Sequence, residues 1–182
     1  KVIRGEGAWS ESIDLIIKLC KRPLIIGRSN STKNLRTSLE HDLLLKGIQV
    51  ISFELDHDCC ELDIQNAYKF SRKNNCDGII AAGGGKVLDA GKLIADLLCI
   101  NCITVPLSAS TCAGWTALSN IYSPEGKFIK DITLKKCPDL LIFDHSIVRL
   151  APKRTLASGI ADAIAKWYES SLTSSTSQDG FV

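Results

Sequence analysis

The chain has 182 residues, of which 45% are hydrophobic and 23% are charged, and its formal net charge is +2. A chain of this length buries one core and at most the beginning of a second domain, and so small a charge argues against nucleic acid or an anionic membrane as partner. No apolar run reaches the roughly 20 residues that cross a bilayer, and the N-terminal stretch KVIRGEGAWS has no signal-peptide core. We therefore expect a cytoplasmic protein that acts on small molecules, with no nucleic acid or membrane partner.

The eight cysteines are predicted to be free thiols. Several lie inside apolar strand or helix patterns, where a reduced thiol acts as a small core hydrophobe. Cys99 and Cys102 form a C-x-x-C pair without a second pair, and adjacent Cys59 and Cys60 lie beside His57. Such partnerless thiols are usually incidental in cytosolic chains, so neither group is predicted to hold a metal.

Strands and helices are predicted to alternate along most of the chain. Apolar runs predict strands at 23–27, 48–53, 77–83, 102–106 and 139–144. Helical spacing predicts helices at 61–75 and 86–98, and one that is capped by Ser31 or Thr32 and stopped by Gly47. This order is typical of an α/β fold with a doubly wound, mainly parallel, Rossmann-like sheet.

Two segments depart from the alternation. Residues 117–133 place Ser123-Pro124-Glu125-Gly126 between two alternating stretches, which predicts a β-hairpin insertion. Pro152 then begins a helix over 152–172 that carries Asp162. We interpret this helix as the start of an all-helical second domain.

Three consecutive glycines, Gly83 to Gly85, lie between a predicted strand and a predicted helix. Such a loop lets a ligand approach the backbone and directs unpaired amides at it, and the helix dipole favours an anion there. The alternative is a tight turn that needs glycine for its conformation. The loop is neither a P-loop nor the common Gly-x-Gly-x-x-Gly motif, so the residues alone predict a nucleotide or another phosphorylated ligand.

Three motifs together resemble one family. GGGKVLDAGK (83–92), PLSASTCAGWTALSNIY (106–122) and GIADAIAKWYE (159–169) are similar, in this order, to the glycerol dehydrogenase branch of the iron-containing (group III) alcohol dehydrogenases. The resemblance implies a nucleotide-binding α/β domain at 1–150 and, at 151–182, the first helix of a helical metal-binding domain. It also implies an NAD(P)- and metal-dependent oxidoreductase, forming a homo-oligomer, that interconverts a small alcohol or polyol and its carbonyl compound.

The resemblance also implies a set of cofactor-binding residues. Those around the pyrophosphate are Gly84, Gly85, Lys86, Val87, Leu88 and Asp89; those along the adenosine are Leu107, Ser108, Ala109 and Ser110; those beside the nicotinamide are Thr116, Leu118 and Tyr122. For Leu118 and Tyr122, ordinary packing within the hairpin is the alternative.

Asp162 is the predicted metal ligand. A carboxylate within an apolar helical stretch must be desolvated or directed at a partner, and an isolated buried charge costs several kcal/mol unless it is paired or metal-bound. A surface position on the helix is the alternative. The family uses this aspartate to hold zinc or iron, which acts as a Lewis acid on the substrate hydroxyl.

Two residues depart from the family pattern. Cys112 replaces an aspartate that contacts the substrate in glycerol dehydrogenases, which makes glycerol doubtful as the substrate. Arg28 replaces an aspartate that accepts hydrogen bonds from the adenosine ribose of NAD. An arginine there suits a 2′-phosphate, so NADP is predicted as an alternative to NAD.

The family completes its metal site with two histidines downstream of the aspartate, and none follows Asp162 in this sequence. We therefore expect a shortened form that binds metal weakly or not at all. The helix of 152–172 is then expected to expose an apolar face, formed by Leu156, Ile160, Ile164 and Trp167, and to self-associate through it.

Three other functions stay open from the sequence. Dehydroquinate synthase-like and glycerol-1-phosphate dehydrogenase-like enzymes share this organisation and also use NAD and a metal. A non-catalytic nucleotide-binding or assembly module is the alternative outside enzymes.

Overall fold

A six-stranded sheet forms the centre of the molecule, and a separate two-stranded hairpin packs beside it. The computed structural model describes residues 1–174; residues 175–182, the last part of the predicted second-domain segment, lie outside the described residues. The strands are β1 (Val2–Gly5), β2 (Pro23–Gly27), β3 (Ile51–Glu54), β4 (Gly78–Gly83), β5 (Asn101–Pro106), β6 (Leu118–Tyr122), β7 (Phe128–Thr133) and β8 (Leu140–Asp144). The helices are α1 (Ala8–Leu19), α2 (Lys33–Leu45), α3 (Glu61–Lys73), α4 (Gly85–Leu98), α5 (His145–Val148) and α6 (Lys153–Ser174).

The six strands of the central sheet are parallel and follow the order β1-β8-β5-β4-β2-β3. Apolar side chains alternate between its two faces. Ile25 and Ile80 pack with α1 and α2 on one face, whereas Ile26 and Ile79 pack with α3 and α4 on the other. Because helices cover both faces, the central strands are apolar throughout. The predicted doubly wound, Rossmann-like sheet is confirmed.

The first two elements, β1 and α1, have no counterpart among the predicted ones. β1 pairs in parallel with β8, with Val2 beside Leu141. The strand has only four residues, includes Arg4, and has no fully buried residue. Its sequence therefore has no apolar run, and pairing with β8 makes this segment a strand.

The start of α2 differs from the prediction. A 3-10 turn, Asn30–Thr32, precedes the helix, and neither Ser31 nor Thr32 caps it with its side chain. The Thr32 hydroxyl instead donates to the Ser29 carbonyl oxygen at 3.0 Å and accepts a hydrogen bond from Arg36 Nη1 at 2.6 Å. Thr32 thus occupies the predicted N-cap position, but its hydroxyl makes no capping hydrogen bond because Ser29 and Arg36 engage it. The other boundaries differ from the prediction by a few residues.

The predicted β-hairpin is present as the antiparallel pair β6 and β7. In its turn the Gly126 amide donates to the Ser123 carbonyl oxygen at 2.9 Å, and Gly126 has a φ of 83° that favours glycine. Ser119 in β6 donates to the Asp89 carbonyl oxygen of α4 at 3.0 Å. The hairpin therefore packs against α4.

The helix α6 exposes the apolar face expected from the sequence. Leu156, Ile160, Ile164 and Trp167 are 54%, 54%, 55% and 73% exposed. Self-association through this face stays a prediction. Over residues 1–174, no helix is both long and apolar enough to cross a membrane.

All eight cysteines are free, as predicted. Burial raises the pKa of both Cys20 and Cys102 to about 12, so these thiols stay protonated at neutral pH. They act as small apolar side chains of the core.

Candidate functional site

The loop of three glycines joins β4 to α4 and contains one position with open space. A β-carbon on Gly83 would lie 2.6 Å from Val87 Cβ, and one on Gly85 would lie 2.8 Å from Thr111 Cγ2. Packing therefore explains these two glycines. A β-carbon on Gly84 would meet nothing within 4 Å. Gly84 is the point at which a ligand can approach the backbone closely.

The start of α4 offers amide groups to an anion. The first bonds of the helix are those from the Val87 and Leu88 amides to the Gly84 carbonyl oxygen, at 3.0 and 3.1 Å. The amides of Gly85 and Lys86 precede these bonds and lie at the positive end of the helix dipole. This arrangement suits a phosphate group.

A cleft of about 700 Å³ adjoins the glycine loop, and we call it the large cleft. Gly84, Leu107 and Ser108, three of the predicted cofactor-binding residues, line it. The rest of its wall comes from the start of α2 and from the segment that joins α5 to α6: Ser31, Thr32, Asn34, Leu35, Ile147, Leu150, Ala151, Pro152, Arg154 and Thr155. Its volume is within the roughly 300–1,000 Å³ of small-molecule sites.

Sequence reasoning missed most of the wall of the large cleft. One signal was available for the segment after β2, because ligands of open α/β sheets bind beyond the carboxyl ends of the strands. No local motif marks the segment between α5 and α6, which reaches the cleft only through the tertiary fold.

A smaller recess of about 250 Å³ shares Thr32 and Gly84 with the large cleft. Its wall also contains Arg28, Ser29, Gly83, Gly85, Lys86 and Val87. The structure therefore brings Arg28 to the glycine loop; that the adenosine ribose binds beside it stays a prediction. Arg28 and Lys86 both form ion pairs with Asp58.

Two of the predicted cofactor residues, Leu88 and Asp89, are buried in α4, and two others, Thr116 and Leu118, contact Lys92 of that helix. Leu88 is a core residue, and buried Asp89 pairs with Lys92 Nζ at 2.9 Å. Burial raises the pKa of Asp89, although the positive charge of Lys92 acts in the opposite direction. Lys92 also donates to Thr116 Oγ1 at 3.2 Å and to the Leu118 carbonyl oxygen. Burial leaves little of Leu88 and Asp89 for a cofactor to contact. Cofactor binding by Thr116 and by Leu118, which is 38% exposed, stays a prediction.

Tyr122, the third residue predicted beside the nicotinamide, does lie near the loop. Lys86 Nζ is 4.6 Å from the centre of its ring, a cation–π distance. Phe128 packs edge-on against the same ring, with the ring centres 6.1 Å apart. The hairpin thus contributes one aromatic side chain to the surroundings of the glycine loop.

A third pocket, of about 250 Å³, brings Cys112 and Asp162 together, and we call it the Asp162 pocket. Ala109 lines it as well, and Ser110 Oγ lies 3.1 Å from Ser108 Oγ of the large cleft. The remaining lining residues are Thr111, Trp115, Phe143, Gly159, Ala163 and Lys166. The residues predicted for substrate and metal thus share one pocket beside the predicted adenosine segment.

Close contact between α6 and the preceding loop forms this pocket. A β-carbon on Gly159 would lie 1.8 Å from the Ala109 carbonyl oxygen, so only glycine allows the approach. Asp162 pairs with Lys166 Nζ at 2.9 Å and its side chain is 41% exposed. The hydrogen bond with Asp162 raises the pKa of Lys166. Asp162 therefore lies at a half-exposed position and is paired with a lysine; its role as a metal ligand stays a prediction.

The described residues do not complete a metal site at Asp162. Zinc and iron sites need about three or more protein ligands, and the Asp162 pocket offers one carboxylate and one thiol. Within residues 1–174, the one group of three neighbouring metal-ligating side chains is His57, Cys60 and Asp63, whose ligand atoms lie within 4.8 Å of one another. The Asp63 carboxylate accepts a hydrogen bond from the His57 amide at 2.6 Å, and its other oxygen lies 3.1 Å from His57 Nδ1. These contacts join the loop before α3 to the first turn of that helix, which explains why the three side chains lie together without a metal.

Known proteins resemble the chain in sequence. The family model for iron-containing alcohol dehydrogenase matches residues 1–145. An uncharacterized oxidoreductase of Synechocystis sp. is 41% identical over 181 residues, which cover 100% of this chain and 46% of that protein. The glycerol dehydrogenase of Escherichia coli O6:H1 is 31% identical over 176 residues, which cover 93% of this chain and 48% of that protein.

A solved structure shows the same fold. The crystal structure of a probable glycerol dehydrogenase from Sinorhizobium meliloti 1021 superposes with a TM-score of 0.84 at 26% identity, over 93% of this chain and 46% of that one. The chain thus spans about half the length of the curated relatives that it matches. By the family match, the sequence identity and the superposition, the chain belongs to the glycerol dehydrogenase branch of the iron-containing alcohol dehydrogenase family.

Proposed function

We propose that the chain forms the cofactor-binding part of an NAD(P)-dependent oxidoreductase, which interconverts a small alcohol or polyol and its carbonyl compound. The glycine loop carries this proposal, because Gly84 leaves open space at the start of α4 beside a cleft of about 700 Å³. Relatives named glycerol dehydrogenase support the reaction class. The match to the iron-containing alcohol dehydrogenase model favours it over the dehydroquinate synthase-like and glycerol-1-phosphate dehydrogenase-like alternatives.

The proposed cofactor lies across the glycine loop. The amides of Gly85 and Lys86 would hold its pyrophosphate, and Leu107 and Ser108 would hold its adenosine. The bound nicotinamide supplies the hydride acceptor or donor. The chain's own contribution is to hold the phosphates and to exclude water between the loop and the wall of the large cleft.

The proposed substrate lies in the Asp162 pocket. Cys112 lacks the charged oxygen with which an aspartate accepts a hydrogen bond from a polyol, and Trp115 and Phe143 add apolar surface. We therefore propose a small alcohol or diol that is less polar than glycerol. Asp162 is proposed as one metal ligand; the described residues do not supply the others.

Replacing Gly84 with alanine is expected to weaken binding of NADH and NADPH by about ten-fold or more. The new β-carbon would occupy the space in which the pyrophosphate approaches the backbone. Thermal stability should be nearly unchanged, because that space is open and the φ of −82° suits alanine. Fluorescence titration with each reduced cofactor and thermal unfolding measure the two effects.

Gly83→Ala serves as the matched control. Its β-carbon would clash with Val87, so this variant should lose stability, unlike Gly84→Ala. Equal cofactor affinity in Gly84→Ala and the wild type would contradict the proposed site. Cofactor binding without turnover of any alcohol, diol or aldehyde, in a longer form of the protein that supplies the remaining metal ligands, would favour the non-catalytic nucleotide-binding module.

A further inference from the structure

Asp58 lies between the two cations of the small recess. Its Oδ1 pairs with Arg28 Nη1 at 2.5 Å, and its Oδ2 pairs with Lys86 Nζ. The Asp58 side chain is only 12% exposed, whereas those of Arg28 and Lys86 are each 44% exposed. One carboxylate therefore engages both cations at the side of the glycine loop.

The loop that carries Asp58 is held in place on several sides. The Leu55 amide donates to the Gly27 carbonyl oxygen of β2, and the Tyr122 amide donates to the Cys59 carbonyl oxygen, both at 2.8 Å. At the hairpin turn, a β-carbon on Gly126 would lie 3.3 Å from Asp58 Oδ2. The carboxylate is thus fixed between β2, the start of α4 and the hairpin.

This position bears on the choice between the two nicotinamide cofactors. NADP(H) differs from NAD(H) by a phosphate on the 2′-oxygen of the adenosine ribose. Arg28 directly follows β2, which pairs with β4 next to the glycine loop, so it adjoins the site proposed for the adenosine. Asp58 pairs with Arg28 and Lys86, the two cations that would otherwise bind a 2′-phosphate, and its own negative charge repels that phosphate.

We infer that Asp58 is a specificity-determining residue that makes the chain prefer NAD(H) over NADP(H). This inference rests on the proposed function. Without an acidic partner, Arg28 would suit a 2′-phosphate. Paired with Asp58, Arg28 is no longer a free cation, and the carboxylate is available to accept a hydrogen bond from a 2′-hydroxyl.

The test compares charge-removing substitutions at two positions of one loop. Asp58→Asn keeps the shape and an acceptor oxygen but frees the charges of Arg28 and Lys86. It should tighten NADPH binding about ten-fold and change NADH binding less than about two-fold. Asp56→Asn removes the same charge from an exposed residue that has no ion pair in the described part of the chain, and it should leave the ratio of the two affinities unchanged. Asp58→Glu, which keeps the charge, should retain the preference for NADH.

Fluorescence titration of the whole chain with NADH and with NADPH gives both affinities, and thermal unfolding shows that each variant is folded. The gain in NADPH affinity should shrink as salt is raised, because partly exposed charges are screened. Three results would overturn this inference but not the proposed function. They are a wild type that prefers NADPH, an unchanged ratio of the two affinities in Asp58→Asn, and an equal change of that ratio in Asp56→Asn. Binding of neither cofactor by the wild type overturns the proposed function and this inference with it.

Discussion

Replacing Lys92 with methionine is expected to lower the free energy of unfolding by about 3–5 kcal/mol. Lys92 is 2% exposed and pairs with buried Asp89 at 2.9 Å. Methionine fills a similar volume but leaves the Asp89 carboxylate buried without its partner. It also removes the hydrogen bonds to Thr116 and Leu118 that join α4 to the hairpin. Urea unfolding at pH 7 measures the loss.

The double variant Asp89→Asn/Lys92→Met separates the unpaired charge from the loss of packing. It should recover much of the stability that the single variant loses, because no buried charge remains. A double variant as unstable as Lys92→Met would show that the unpaired carboxylate is not the cause.

The pH dependence of Lys92→Met adds a second check. Burial raises the folded pKa of Asp89 above its ordinary value of 3.8, and loss of Lys92 removes the charge that opposes this rise. An acid with a raised folded pKa favours folding below its unfolded pKa, and this contribution is lost as pH rises through the folded pKa. The destabilisation of Lys92→Met should therefore be smaller near pH 4 than at pH 7.

Replacing Asp144 with alanine is expected to cost about 2–4 kcal/mol of stability. Its buried carboxylate accepts a hydrogen bond from the Trp9 amide of α1 at 2.9 Å and from the Ser146 amide of α5 at 2.9 Å. Alanine leaves both donors without this acceptor and removes the cap of α5. Asp144→Asn keeps one carbonyl oxygen and should lose less. Urea unfolding of the two variants tests this order; equal losses would contradict it.

Asp144 is also expected to make the stability of the fold sensitive to acid. Burial alone would raise its pKa, but the hydrogen bonds from Ser146, Trp9 and Ile147 outweigh burial and lower it. A carboxyl with a lowered folded pKa contributes stability above its unfolded pKa, and this is lost as pH falls through the folded pKa. Below about pH 4, the wild type should therefore lose stability more steeply than Asp144→Asn. Parallel curves for the two proteins would exclude this role.

The parts of the fold that the sequence predicted are those with strong local patterns. The apolar runs of β2 and β4, the helical spacing of α4 and the turn residues Ser123 to Gly126 each identify an element without reference to the rest of the chain. β1 was missed because a four-residue edge strand containing Arg4 has no such pattern. Its partner β8 lies far along the chain, so only the assembled sheet defines it.

The candidate site, like the fold, has parts that the sequence predicts and parts that it does not. The sequence predicts that the three glycines and Arg28 follow the ends of strands, and the structure brings both to one recess. The sequence did not predict where the side chains of Asp89 and Asp162 point. Their ion-pair partners, Lys92 and Lys166, are only three and four residues away. The burial of Asp89 and the exposure of Asp162, however, depend on how the rest of the chain packs around them.

The family, the order of the main elements and the glycine loop are predictable from the sequence, because they follow from local patterns of residue type. Which charged side chains meet depends on the tertiary structure. Asp58 comes from the loop after β3, Arg28 from the end of β2 and Lys86 from the start of α4, and only the order of strands in the sheet brings them together. The interaction between charges depends on distance in space, which their separation along the chain does not reveal.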